Sequence, residues 1–282
     1  MVSSKPELDE IVGRALSEDM GEREIDITTH FTVEPDLMAD ARLIAKGRGV
    51  ISGSEAAARV FQILRPPCDY FALVPDGARV EPGDVVARVV GSLPTILTGE
   101  RTALNFLQRL SGIATVTRHY ADALAEFPDV TLLDTRKTTP GLRFLERAAV
   151  RAGGGHNHRD GLWDAILIKD NHVAAAGGVR AAIERARRAR IPVEVEVESL
   201  EQLEEALQMG AEIVLLDNMP AEVMRRAVEI TAGRAKLEAS GGMTLEGAVA
   251  AAKAGVDRIS VGALTHSAPA LDLSLEVART WR

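Results

Sequence analysis

From about residue 130 the chain alternates short apolar runs with helical stretches, and the spacing of those runs narrows the architectures open to it. The runs cover 130–133, 165–168, 193–197, 213–216, 237–239 and 258–261. They are short and mostly aliphatic, as strands buried on both faces of a parallel sheet are. Ser199, with Gln202 three residues on, reads as a capping box opening a helix. Thr244 reads as the N-cap of a helix over 245–254 and Gly255 as its stop. The strand ends recur at even intervals: 21 residues from Glu196 to Asp217, 23 from Asp217 to Ser240 and 22 from Ser240 to Gly262. Near-equal βα units favour a β/α barrel over an open doubly wound sheet.

Each run ends in polar or glycine residues. In order these are Asp134 to Lys137, Lys169-Asp170, Glu196 and Glu198, Asp217-Asn218, Ser240-Gly241-Gly242, and Gly262. In β/α barrels the C-terminal strand ends form the active site. Polar residues also mark strand ends for ordinary reasons, which accounts for one or two of these positions and poorly for six. The first hundred residues read differently. A strand over 40–51, a helix over 54–64 and strands over 71–74 and 85–90 are joined by turn residues at Asp76-Gly77 and Pro82-Gly83-Asp84. A long amphipathic helix beginning near Glu100, with Ala103, Leu104, Leu107 and Leu110 at helical spacing, joins this small α+β unit to the rest.

The 282 residues suit about two domains. Contents of 46% apolar and 26% charged residues are those of a soluble globular protein. The single cysteine, Cys68, excludes an internal disulfide and points to a reducing, cytoplasmic setting. The acidic N-terminal stretch lacks a signal-peptide apolar core, and no run approaches the roughly 18 apolar residues of a membrane span. The net charge of −8 argues against nucleic acid as a partner. That charge is uneven: −7 over residues 1–100, +3 over 101–169 and −4 over 170–282. A basic middle third can focus a small anionic ligand. It is equally the scatter of charges on helix surfaces, and charge alone does not decide.

The strand-end motifs carry more. Arg136 and Lys137 in Asp134–Gly141, Arg159 after the Gly153-Gly154-Gly155-His156-Asn157-His158 run, and Lys169 would together bind a ligand with several negative charges. Guanidinium groups match carboxylate and phosphate as planar forks, and lysine acts as a point charge. His156-x-His158 lacks a cysteine or third-ligand pattern, so a ligand-binding His158 is favoured over a zinc site. Glu194, Glu196 and Glu198 alternate with valines and share one face of their strand. With Asp217 they can hold ribose hydroxyls and Mg²⁺. Glu196 is favoured because it leaves room for Asp217. The alternative sets Glu194 at the protected bottom beside an arginine and Glu198 at the rim. Ser240-Gly241-Gly242 and Gly262 offer backbone N–H groups to a phosphate.

These stretches resemble the quinolinate phosphoribosyltransferase family, also named nicotinate-nucleotide pyrophosphorylase (carboxylating). The likeness runs through ERTALN from Glu100, DTRKTTPGLR from Asp134, RAGGGHNHRDGL from Arg151 and LIKDNH from Leu167. It continues in VEVEVES from Val193, LLDNM from Leu215, EASGG from Glu238 and ISVGALTHSAP from Ile259. The resemblance implies an α/β fold: an N-terminal α/β sandwich domain over 1–105, with which the tail 270–282 can pack, and an incomplete β/α barrel over 106–269. It implies conversion of quinolinate and phosphoribosyl pyrophosphate to nicotinate mononucleotide, pyrophosphate and CO2 in NAD biosynthesis. It further implies Mg²⁺ dependence and a homodimer with shared active sites, with higher oligomers open. By the same likeness Arg136, His158, Arg159 and Lys169 bind the quinolinate carboxylates. Lys137, Glu196 and Asp217 serve phosphoribosyl pyrophosphate, with Glu196 and Asp217 at Mg²⁺. Ser240, Gly241, Gly242 and Gly262 hold the 5′-phosphate, and Arg101 reaches the neighbouring subunit's site. Lys137, Lys169, Glu196 and Asp217 form the implied catalytic set. A related protein with another acceptor and a non-catalytic anion-binding barrel are the alternatives.

Overall fold

The computed structural model describes residues 5–282. Residues 1–4, part of the stretch read for a leader, lie outside the described residues. The chain divides into two compact units. The first takes the described residues up to Arg118, with Thr139–Gly154 and Ala268–Arg282; the second takes His119–Thr138 and Gly155–Ser267.

The first unit begins with α1 (Lys5–Met20), α2 (Ile27–Thr32), β1 (Met38–Ala45), β2 (Gly49–Val50) and α3 (Ser54–Ile63). It continues through β3 (Asp69–Ala72), β4 (Arg79–Val80), β5 (Val85–Ser92) and α4 (Leu93–Ala123), whose last turns enter the second unit. Farther along the chain come β6 (Thr131–Leu133), α5 (Arg143–Ala152), β7 (Ile166–Ile168), α6 (Asp170–Ala176) and α7 (Val179–Ala186). Then follow β8 (Val193–Val197), α8 (Leu200–Gln208), β9 (Ile213–Asp217), α9 (Ala221–Thr231) and β10 (Lys236–Ser240). The chain ends with α10 (Leu245–Ala254), β11 (Arg258–Ser260), α11 (Ala263–His266) and β12 (Leu273–Trp281).

In the first unit an antiparallel sheet has the order β12-β1-β5-β3. Alternate residues of β1, from Ala39 to Ala45, are fully buried. The C-terminal segment is a strand of this sheet, pairing along the whole of β1. The expected strand over 40–51 is interrupted, with β1 ending at Ala45 before β2. The long helix starts at Leu93 rather than near Glu100. Pro94 lies in its first turn, where a missing N–H breaks no helical bond. The expected domain boundary at 105/106 falls inside α4. Gly112 on that helix passes so close to the Pro269 carbonyl that a Cβ would stand 2.9 Å from the carbonyl carbon and 3.1 Å from Ala270 Cα. Gly112→Ala is therefore expected to destabilise the protein by about 1–3 kcal/mol, read as a lowered thermal midpoint.

In the second unit six parallel strands form the order β6-β11-β10-β9-β8-β7. This is the incomplete β/α barrel, with β6 and β7 as its terminal strands. His156 adds a parallel bridge to Leu133, so the chain beyond α5 runs along the free edge of β6. Ser199 caps α8 by accepting the Gln202 N–H, but the Gln202 side chain accepts from Glu198 N, one residue before the cap. Thr244 and Gly255 bound α10 as expected. Among the described residues no helix is long and apolar enough to cross a membrane.

Candidate active site

The C-terminal ends of the barrel strands surround a cavity of about 590 Å³. Arg136, Lys137, His158, Arg159, Lys169, Glu196, Asp217, Ser240, Gly241 and Gly242 all line it. Gly262 is the N-cap of α11, beside the lining: a Cβ there would meet Lys137 Cδ at 3.1 Å. Arg101 does not line the cavity. It is exposed on α4.

The cationic side is held by Asp134, a fully buried carboxylate at the end of β6. Asp134 accepts from Asn157 Nδ2 at 2.6 Å and from the His158 amide at 2.7 Å, and its own amide donates to the His156 carbonyl at 3.0 Å. The segment carrying His158 and Arg159 is thereby fastened to β6. Burial holds the Arg159 pKa below its ordinary value, and the like charge of Arg136 lowers it further. Arg136 Nε is itself buried without a hydrogen-bond partner. Two crowded guanidinium groups, one with an orphaned donor, would be relieved by an anion between them.

His158 faces the barrel interior. Its Nε2 lies 3.1 Å from Glu194 Oε2 and 3.3 Å from Glu238 Oε1, and Glu238 Oε2 lies 3.0 Å from Arg258 Nε. Burial disfavours imidazolium, but the two carboxylates outweigh it and push the His158 pKa up to about 9. The Arg159 amide donates to Nδ1 at 2.7 Å, which favours the neutral ring. Two full charges at the other nitrogen exceed one amide dipole, so the shift is upward. Among the described residues, the one histidine–carboxylate cluster with metal-like spacing is His158, Glu194 and Glu238. It leaves out His156, and ion pairing to Arg258 already serves Glu238.

Along β8 the three alternating glutamates separate. Glu194 meets His158, whereas Glu198 is exposed. Glu196 is 8% exposed and takes Lys169 Nζ at 2.9 Å. Glu196 pairs with Leu215 across the ladder, and Asp217 stands two residues beyond, on the same side. The Lys169 amide donates to His172 Nδ1 at 3.0 Å, which orients the strand end carrying the lysine. The turn after β10 has φ +95° at Gly241 and +50° at Gly242, so two successive residues are left-handed. Glycine adopts that backbone freely and leaves the amides open to a phosphate.

Two family models cover nearly all of the chain. "Quinolinate phosphoribosyl transferase, N-terminal domain" matches residues 26–111, and "Quinolinate phosphoribosyl transferase, C-terminal domain" matches residues 113–276. The chain belongs to the quinolinate phosphoribosyltransferase family. It is 41% identical to a probable nicotinate-nucleotide pyrophosphorylase (carboxylating) of Bacillus subtilis, over 96% of this chain and 93% of that protein. It is 44% identical to the nicotinate-nucleotide pyrophosphorylase (carboxylating) of Mycobacterium leprae, over 94% and 95%. The solved nicotinate-nucleotide pyrophosphorylase of Francisella tularensis superposes with a TM-score of 0.92 at 40% identity, covering 97% of each chain.

In this family member the cavity wall also includes residues to which the motifs assigned no individual role: Thr135, Leu167, Asp170, Leu215, Asn218, Glu238 and Ser260. Glu238 had a visible signal. Lys236, Glu238 and Ser240 alternate along β10, so Glu238 shares the face of the phosphate-turn serine. Asn218 shared the strand-end signal of Asp217, but the backbone angle that distinguishes it left none.

Proposed function

We propose that this chain transfers the phosphoribosyl group of phosphoribosyl pyrophosphate to quinolinate with loss of CO2. The products are nicotinate mononucleotide and pyrophosphate, a step in NAD biosynthesis. One observation carries this reading within the family: a single cavity gathers the cations Arg136, Arg159 and Lys169 together with carboxylates and glycine amides. The cations suit an aromatic dicarboxylate, and the carboxylates and amides a phosphorylated sugar.

Arg136, Arg159, Lys169 and His158 would hold the two quinolinate carboxylates and aim the ring nitrogen at the sugar. Ser240, Gly241, Gly242 and Gly262 would hold the 5′-phosphate, with Lys137 at the pyrophosphate. As pyrophosphate departs, positive charge develops at the ribosyl carbon, and Glu196 and Asp217 would stabilise it electrostatically. Attack by the pyridine nitrogen leaves a ring cation. That cation stabilises the electron pair left on the ring carbon when the adjacent carboxylate leaves as CO2, and a proton from water then completes the C–H bond of nicotinate mononucleotide. Orientation and fixed charge do most of this work, without a dedicated protein nucleophile.

Glu196 and Asp217 also fit magnesium. They are hard oxygen donors on adjacent strands, and this ion binds through one or two carboxylates plus substrate phosphates. When bound it would neutralise phosphate charge and favour departure of pyrophosphate. We further propose a homodimer in which the exposed Arg101 serves the other subunit's site. Acceptor competition tests the substrate assignment. Quinolinate is expected to be the favoured acceptor over nicotinate and over pyrimidine carboxylates, and preference for one of those would reassign the enzyme.

A further inference from the structure

Among the described residues, the non-glycine residues with left-handed backbone are Glu24, Arg190, Asn218 and Ala232. Glu24, Arg190 and Ala232 cap the C-termini of helices or 3-10 turns, where such a residue is ordinary. Asn218, at φ +51°, instead follows a strand and lines the cavity. Side chains resist this conformation, asparagine less than most.

Three contacts exploit it. The Asn218 amide donates to the Ser240 carbonyl at 2.9 Å, joining the ends of β9 and β10 beyond their last ladder pair. Its Nδ2 donates to Asp217 Oδ2 at 2.9 Å. The side chain also packs against Gly241, where a Cβ would stand 2.8 Å from Asn218 N and collide with its side-chain amide. One residue therefore touches the carboxylate, the serine and the first glycine of the turn.

We propose that Asn218 is a positioning residue that sets Asp217 and the Ser240-Gly241-Gly242 turn in register, so that both engage one phosphoribosyl pyrophosphate molecule. This rests on the reading of those groups given above. The test uses the full-length protein with Asn218→Gly and Asn218→Asp. The first keeps the left-handed backbone and removes the side-chain donor. The second keeps the shape and turns a carboxylate toward Asp217. Calorimetry reads phosphoribosyl pyrophosphate and quinolinate binding separately, and thermal melting reads folding. Both variants are expected to weaken phosphoribosyl pyrophosphate binding by about tenfold or more, as loss of a hydrogen bond to a charged group does. Asn218→Asp should be the worse, and quinolinate affinity should stay within about twofold, since its proposed ligands make no contact with Asn218.

Wild-type phosphoribosyl pyrophosphate affinity in Asn218→Gly would overturn the proposal, because the backbone alone would then suffice. Equal loss of both ligands, or a collapsed melting transition in both variants, would overturn it as general structural damage. Asp217→Asn run in parallel separates the two levels. If it weakens phosphoribosyl pyrophosphate binding while Asn218→Gly does not, only the positioning role falls. If neither does, the reading of the carboxylate falls as well.

Discussion

Arg136→Ala is expected to weaken quinolinate binding by about a hundredfold or more, the usual consequence of removing one partner of a desolvated, hydrogen-bonded charge pair. The magnitude follows from where the guanidinium sits. Its Nε is buried and unpartnered, and its charge bears on Arg159. Such a group is unfavourable in the empty site and favourable once a carboxylate arrives, so its contribution concentrates in binding. Arg188→Ala is the control. Arg188 is exposed on the 3-10 turn after α7, and its loss should shift binding by less than about twofold. Titration of both variants with quinolinate checks this, and equal effects would remove Arg136 from carboxylate recognition.

Mixing two inactive variants should restore activity if the sites are shared between subunits. Arg101→Ala and Lys169→Ala would each disable every site of their own homodimers. In a mixed dimer one site inherits both defects, and the other regains an intact Arg101 and an intact Lys169. Random exchange makes half the dimers mixed, so recovery should approach about one quarter of wild-type activity. A mixed dimer verified by mass spectrometry that stays inactive would put Arg101 outside the catalytic unit. The design uses residues from the two different compact units: Arg101 is exposed on α4, and Lys169 is paired with Glu196 in the cavity.

Barrel chemistry was legible in this sequence because each functional residue sits where a period is interrupted. Lys169, Glu196, Asp217 and Ser240 all fall at or just past the ends of apolar runs, and the structure gathers them around one cavity. The even spacing encodes repeated βα units, and parallel strands bring the C-terminal ends to the same edge. Pairing within the cavity was not legible. Alternation puts Glu194, Glu196 and Glu198 on one face, but it does not say that Glu194 meets His158, that Glu196 meets Lys169 or that Glu198 is exposed. The first of these partners comes from a loop whose path depends on Asp134 gripping Asn157 and the His158 amide. The early start of α4 was hidden because proline usually reads as a break, although it is harmless in a first helical turn. The left-handed backbone of Asn218 leaves no compositional mark. Arg101 entered only through family resemblance, since a residue that would act in another copy of the chain produces no pattern with the other site residues.

Simultaneous measurement of CO2 and nucleotide decides whether this chain couples phosphoribosyl transfer to decarboxylation. Purified protein is supplied with Mg²⁺, phosphoribosyl pyrophosphate and quinolinate labelled in the 2-carboxylate. Labelled CO2 and nicotinate mononucleotide are expected in equal amounts, with neither formed when phosphoribosyl pyrophosphate is omitted. Tight quinolinate binding without CO2 release, or a nucleotide that retains the label, would contradict that coupling.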